Sequence, residues 1–438
     1  MKLNRRNGLK AGVAAGTAFS FIPGRVLGAN EQVNLAVVGS GGIFKWTLMD
    51  IERVANVNLV AFSDVDQSER VTETIKNYAD KPLYVDFREM LDKHPEIDAV
   101  IVSTPDHTHH YIGAYCMKAG KHVYVQKPLA HNIAECRDFM RLEKETGVVC
   151  QMGNQGHSGV GIKIMEQWIN ARSLGEITEL HAWCRQVRSV GDKRPAADPI
   201  PETLDWDKWL GPAAKVDYSR WYQPGHWRNW FEFGTGTMGD WFCHNADAPY
   251  TLLGLDCPKS VEVAASSGKK KLSFPEHSQV TFVFDHPTTG KELKMHWYSG
   301  KQFGPPIPKG MEEDARFKEA WGGSMFVGSK ATVLTGPYCR SPRIIPEELH
   351  REMAKDLPRY KEKRSGHVQN WINAIRGGEK ANSHFDYAGR LTETMHWGNI
   401  ALHLGRDLRI DPKTRRIIGD REASRMMSWP APREGWTV

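Results

Sequence analysis

An apolar run, Val33 to Val38, passes without a linker into Gly39-Ser40-Gly41-Gly42, and a helical pattern follows to about Val54. A second apolar strand, Val57 to Phe62, then stops at Ser63-Asp64. This succession constrains the fold more than any other part of the chain. Glycines between a strand and a helix permit a tight turn and let a pyrophosphate approach the backbone N–H groups at the helix N-terminus. Asp64 stands 25 residues beyond Gly39, near the spacing of an acid that accepts hydrogen bonds from ribose hydroxyls and repels a 2′-phosphate. NAD is therefore expected rather than NADP, with Gly39, Gly41, Gly42 and Asp64 as cofactor ligands. The third glycine of the usual pattern falls at Phe44, so the packing of this helix on its strand is expected to differ.

The alternation continues through Ala99 to Ser103 and His122 to Val125, with a further strand expected at Gly147 to Gln151. Helical segments such as Thr108 to Lys118 and Ile133 to Thr146 lie between. Strands apolar throughout, each followed by a helix, indicate a parallel sheet covered on both faces. After about Gln155 longer strands take over, including Glu176 to Arg188, Ser260 to Ala265, Ser278 to Asp285 and Leu293 to Tyr298. The expected fold is α/β: a doubly wound Rossmann domain over 30–155, then an α+β domain over 156–438 with a large open, mainly antiparallel sheet. Two helices within Ser365 to Leu404 end the plan.

The 438 residues exceed what one core usually serves. A net charge of +6 is small for this length, and no basic tract is interleaved with aromatics, so a nucleic-acid partner is not expected. Residues 1–29 read as an export signal: Arg5-Arg6 with Leu9-Lys10, a weakly apolar run from Ala11 to Ile22, and small residues at Leu27-Gly28-Ala29. That order predicts twin-arginine export to the periplasm, and no segment is long and apolar enough to span a bilayer. Seven cysteines without a CxxC pair predict buried thiols rather than a disulfide scaffold.

Ligands of open parallel sheets sit beyond the carboxyl ends of the strands. Two segments end there, Ser103-Thr104-Pro105-Asp106-His107-Thr108-His109 and Gln126-Lys127-Pro128. Each Pro stops its strand, and Lys127 is aimed at the crevice where a nicotinamide ring belongs. In the second half Gly234-Thr235-Gly236-Thr237-Met238-Gly239 leads into an expected helix, Asp240 to Leu253. Asp240, His244 and Asp247 stand on it at i, i+4 and i+7. That spacing suits acid–base work: a histidine can take a hydroxyl proton while a neighbouring carboxylate orients the imidazole. Asp247 is expected to be structural.

These segments resemble the Gfo/Idh/MocA family of sugar oxidoreductases. The resemblance rests on Gly39-Ser40-Gly41-Gly42, Asp64-Val65-Asp66, Thr104 to His109, Ala119 to Pro128 and Gly236 to His244. Trp206 to Pro212 and Gln369 to Arg376 look most like an exported, carbohydrate-associated branch. The resemblance implies a tightly bound NAD, His244 as general base with Asp240 as its partner, and Lys127 beside the reacting alcohol. Where the family motif reads Glu-Lys-Pro, this chain has Gln126, which contributes no charge to hold Lys127 protonated. Lys127 is therefore either a proton relay or a positioning donor. Further cofactor contacts are expected from Ser103, Thr104, Pro105, His109, Gln126, Asn154 and Trp209.

Aromatic faces pack against sugar C–H faces, and Arg or His bonds the hydroxyls. Trp227, Arg228 and Trp230 are the leading substrate candidates, alongside Asp240 and His244, with Gln155, His157, Arg185, Trp297 and Tyr298 behind them. A metal would need Asp240, His244 and a third ligand, His226 or His181. Nothing in the sequence completes that shell, and no metal is expected. Export favours chemistry that does not release NADH. One course is hydride transfer at a sugar hydroxyl with retained cofactor. Another is transient oxidation that drives glycoside elimination or hydrolysis. A third is sugar binding without catalysis. A sheet face left open in the second domain would favour a homo-oligomer.

Overall fold

Four- to seven-residue apolar strands alternating with helices cannot bury both faces of a sheet unless helices flank it. The computed structural model, which describes residues 28, 31–311, 321–361 and 365–438, resolves this demand as a six-stranded parallel sheet. Its strands are β1 (Val33–Val38), β2 (Val57–Ser63), β3 (Leu83–Tyr84), β4 (Ala99–Val102), β5 (His122–Val125) and β6 (Cys150–Met152), in the order β3-β2-β1-β4-β5-β6. The two-residue β3 carries no readable sequence pattern. β6 starts later than expected because Gly147, at φ 67°, caps the helix Ile133–Thr146 in the left-handed conformation. The export signal expected over 1–29 falls, apart from Gly28, outside the described residues.

The second sheet has nine strands in the order β13-β12-β11-β7-β10-β9-β8-β14-β15. They are β7 (Ile177–Cys184), β8 (Ser260–Ser266), β9 (Ser278–Asp285), β10 (Glu292–Ser299), β11 (Gly322–Gly328), β12 (Thr332–Gly336), β13 (Arg340–Ile345), β14 (Leu408–Asp411) and β15 (Arg416–Ile417). Neighbours pair antiparallel except β7 with β10. One face carries Leu180, Ala182, Phe282, Met295 and Trp297 into a core shared with the helices Gly236–Asn245 and Phe385–Leu404.

Two C-terminal helices tie the halves together. His367–Ile375 sends Val368, Trp371, Ile372 and Ile375 into the core beneath β1 and β4. Phe385–Leu404 lies along Ile133–Thr146, where Phe385 and Phe139 meet at 4.8 Å between ring centroids. All seven cysteines are free and buried. Among the described residues no helix is long and apolar enough to cross a membrane.

Candidate functional site

The glycine turn is built as its sequence requires. Gly39 sits at φ 88°, and a Cβ there would stand 2.7 Å from the Ser103 carbonyl carbon, so the turn presses against the end of β4. Gly42 is also left-handed, at φ 48°. Phe44, in place of the third glycine, is fully buried and meets Phe62 edge-on at 6.3 Å. Asp64 Oδ2 accepts from the amides of Ser40 (2.8 Å) and Gly41 (3.3 Å), and Oδ1 from that of Asp66 (3.0 Å). Burial raises its carboxyl despite these amides. A carboxylate has about four acceptor sites, so Asp64 fixes the turn and retains capacity towards the cleft it lines.

That cleft runs from the glycine turn along Ser103, Thr104 and Pro105 to Trp209, Trp227 and Arg228. Around and beyond it lie buried polar atoms with no hydrogen-bond partner among the described residues: Ser40 Oγ, Ser103 Oγ, Gln126 Oε1, Asn154 Oδ1 and His244 Nδ1. Buried polar groups are nearly always paired. Five unpaired ones spread from the glycine turn to the end of β6 fit a dinucleotide's phosphates, ribose and carboxamide. Gln126 uses only its amide donor, giving Nε2–H to Thr47 Oγ1 at 3.0 Å.

Lys127 follows β5, and Asp240 lies in the first turns of the helix Gly236–Asn245. Lys127 Nζ donates to Asp240 Oδ1 (2.6 Å) and to the Asp240 carbonyl (2.7 Å). Arg188 Nε stands 3.1 Å from Asp240 Oδ2, and Arg228 Nε 3.5 Å from Oδ1. Burial alone would raise the Asp240 carboxyl; the three cations overcome that and hold it far below the carboxylate range. One turn on, His244 is buried between Trp241 (5.4 Å) and Tyr338 (4.5 Å). Burial and then the Lys127 charge push its imidazole well towards the neutral form, against the pull of Asp240. The arrangement is a fixed carboxylate, a cation and a neutral histidine whose Nδ1 is unpaired. Arg228 also lines the cleft and lies 4.1 Å over the Trp227 ring, so it joins cleft and charge cluster.

Several expected residues lie elsewhere. The expected helix Asp240 to Leu253 is broken: Pro249 cannot donate to the Asn245 carbonyl, and a new helix, Asp247–Leu252, starts after Ala246. Asp247 thereby leaves the face of Asp240 and His244 and accepts from Asn154 Nδ2 (3.1 Å), His157 Nδ1 (2.9 Å) and Tyr387 Oη (2.5 Å). His157 is thus a structural partner of Asp247 rather than a substrate ligand, whereas Asn154 keeps its Oδ1 free. His109 places both ring nitrogens on carbonyls, Thr104 (2.9 Å) and Pro128 (2.8 Å). It clamps the two cofactor-facing segments together and offers no atom to a cofactor. Trp230 packs in an aromatic cluster against Tyr222, because its flanking 3-10 turn directs it inward. Trp297 is core, and Tyr298 faces the opposite side of the nine-stranded sheet, since neighbours on a strand alternate. Gln155 and Arg185 are half-buried, Gln155 after β6 and Arg185 just past β7. His226 meets Trp221 at a tilt of 57°, and His181 lies with Tyr298; among the described residues neither forms a ligand group with Asp240 and His244.

The structure adds residues that the sequence reading passed over. Arg188 lies only three residues beyond Arg185, and nothing in the sequence distinguishes the two. Tyr338, left-handed at φ 62°, comes from a turn between β12 and β13. Trp436 lines the cleft from the C-terminal tail, near Tyr111 (5.0 Å) and Arg88 (5.6 Å). Arg433 anchors that tail on Asp207 and on the carbonyls of Asp207 and Gly211.

Residues 33–154 match the oxidoreductase family with the NAD-binding Rossmann fold, and 168–289 match its C-terminal alpha/beta domain. The chain belongs to the Gfo/Idh/MocA oxidoreductase family. It is 29% identical over 161 residues to inositol 2-dehydrogenase 1 of Saccharopolyspora erythraea, covering 36% of this chain and 48% of that one. It is 31% identical over 128 residues to glycosyl hydrolase family 109 protein 3 of Phocaeicola vulgatus, covering 27% and 23%. The chain thus spans about half the length, or less, of these curated relatives. The solved WlbA dehydrogenase of Bordetella pertussis, in complex with NADH and UDP-GlcNAcA, shares the fold with a TM-score of 0.59 at 16% identity, over 87% of this chain and 99% of that one. As a family member the chain carries the NAD-binding Rossmann domain, and its cofactor is NAD.

Proposed function

We propose that this Gfo/Idh/MocA protein retains its NAD through turnover and oxidises a hydroxyl-bearing carbon of a sugar or glycoside. The observation that carries the reading is the Lys127–Asp240 pair with His244 one turn away, all close to the carboxyl end of the first sheet. When bound, NAD accepts the hydride. His244, neutral and with Nδ1 unpaired, takes the hydroxyl proton. Lys127 is fixed by Asp240 to donate a hydrogen bond to the same oxygen, and Arg228 and Arg188 keep Asp240 ionised. Trp227 and Trp241 supply aromatic faces for a sugar ring. The inositol dehydrogenase among the relatives supports a polyol or sugar alcohol as the substrate class.

A second reading, net glycoside cleavage through transient oxidation, is favoured by Trp436, which the C-terminal tail brings to the lining of the cleft. A cofactor bordered by the tail suits a cycle that returns its hydride. The glycosyl hydrolase name of one relative supports the same reading. Twin-arginine export, which delivers folded and loaded protein, fits both.

The test is to purify the protein without added cofactor, record the absorbance of bound NAD(H), and offer free sugars and p-nitrophenyl glycosides. Reduction of the bound cofactor by free sugars, without aglycone release, supports the oxidoreductase. Aglycone release with no net NADH moves the assignment to the second reading. A protein that neither carries nor takes up NAD sinks both.

A further inference from the structure

The outer face of the nine-stranded sheet carries a second polar cluster, away from the cleft. In the register of the sheet Thr281 on β9 stands opposite His296 on β10, and His296 opposite His181 on β7. Glu179 and Tyr298, two residues along their strands from His181 and His296, share this face. Leu180, Ala182 and Met295 point the other way, into the core under the helix that bears His244.

We propose that Glu179, His181 and His296 form a binding site for a divalent first-row transition ion, zinc foremost. The two imidazoles stack at 5.0 Å with 21° between planes. Each uses Nδ1 on a hydroxyl: His181 on Tyr298 Oη (3.1 Å) and His296 on Thr281 Oγ1 (2.8 Å). Such partners fix ring orientation at metal sites and leave Nε2 for the ion. Both Nε2 atoms turn to Glu179 Oε1, at 2.8 Å from His296 and 3.6 Å from His181. All three ligand atoms lie within 4.8 Å of one another. Tetrahedral zinc with bonds of about 2.0–2.2 Å needs ligand separations of roughly 3.4 Å, so the His296–Glu179 contact opens slightly and the wider separations close.

An ion pair between Glu179 and His296 would account for those two residues alone. It leaves His181 unexplained: its residue is 1% exposed, and its Nε2 is buried without a hydrogen-bond partner among the described residues. A lone pair aimed at the same carboxylate is what a third ligand requires. Two histidines and a carboxylate leave one position for water, and they suit zinc, cobalt or iron better than magnesium or calcium, which prefer all-oxygen sites. Lys294 shares the face but turns to Glu292, at 3.6 Å.

The experiment strips the full protein with EDTA and titrates it with Co(II), read by visible absorption, and with Zn(II), read by competition with a chromophoric chelator. The expected result is one ion per chain with tetrahedral cobalt bands. Glu179→Gln and His296→Gln should weaken binding by roughly a hundredfold or more, and Thr281→Val by roughly tenfold through the freed ring. The Glu179 side chain is 42% exposed, so Glu179→Gln should keep the fold, checked by circular dichroism. Wild-type protein that takes up no ion, or Glu179→Gln and His296→Gln proteins with wild-type affinity, overturns the proposal.

Discussion

Lys127 Nζ lies 2.6 Å from Asp240 Oδ1, and this contact joins the two domains at the candidate reaction centre. Both side chains are about nine-tenths buried. Lys127 comes from the end of a parallel strand and Asp240 from a helix on the second sheet, 113 residues away. A buried ion pair gains little from its own attraction once desolvation is counted, but losing one partner leaves a charge stranded.

The two partners should therefore fail differently. Lys127→Met leaves Asp240 with Arg188 and Arg228, and should lower single-turnover hydride transfer by roughly 10²–10⁴-fold with little change in a urea melt. Asp240→Asn strands three cations, and should abolish turnover and cost about 3–5 kcal/mol of stability. Equal destabilisation by both substitutions would contradict this geometry.

Acid should destabilise the protein through its buried histidines. Burial holds His107 and His396 at about 3, below the usual 6.5 of the unfolded chain. Above pH 6.5 neither state binds the proton and the folded state carries no penalty. As the pH falls towards 3 only the unfolded chain takes up protons, and each histidine removes about 1.4 kcal/mol per pH unit. Asp106, raised by burial to about 6, has the opposite sign: between pH 6 and 4 the folded state takes up a proton that the unfolded chain does not. It offsets one histidine over that window. Urea melts across pH 4–7 on His396→Gln, which can still donate to the Ala130 carbonyl, should show a shallower slope by about one proton.

The C-terminal tail should govern cofactor retention. Trp436→Ala opens the cleft beside Tyr111 and Arg88, and Arg433→Ala releases the tail from Asp207 and Gly211. Each should speed NAD loss by roughly 10- to 100-fold, about 1.4–2.8 kcal/mol, read as NAD content after gel filtration. Undiminished retention in both would remove the tail from the cofactor site.

Gly39→Ala should be among the most damaging single changes in the first domain. The new methyl meets backbone atoms of Ser103 and Thr104 at 2.7–2.9 Å, and φ is left-handed. Loss of NAD binding with a stability loss of about 2 kcal/mol or more is expected, by calorimetry and thermal melt.

If residues 1–29 direct twin-arginine export, as we propose, replacing Arg5-Arg6 with Lys-Lys should leave folded, NAD-loaded protein in the cytoplasm, whereas the parent chain should reach the periplasm. Fractionation of the cells reads the difference.

The sequence by itself determined the parallel sheet and its glycine turn. Strand periodicity and a left-handed glycine are local demands, met within a few residues of Val33–Gly42. It also put Lys127 at the end of a strand and Asp240 with His244 on one helix, because Pro128 stops the strand and a glycine run leads into the helix, which begins at Gly236 rather than Asp240. Only the tertiary structure decided what those residues do to one another. Arg188 reads like Arg185 until the β7 loop folds onto Asp240. Tyr338 and Trp436 enter from segments with no pattern of their own. Pro249 looks like one residue in a longer helix, yet the carbonyl it leaves unbonded turns Asp247 away to Asn154 and His157. Tyr298 and Trp297 are adjacent and equally aromatic. Which of them faced the helices depended on the register of β10 against β7 and β9, which is set by packing across the sheet rather than by either residue.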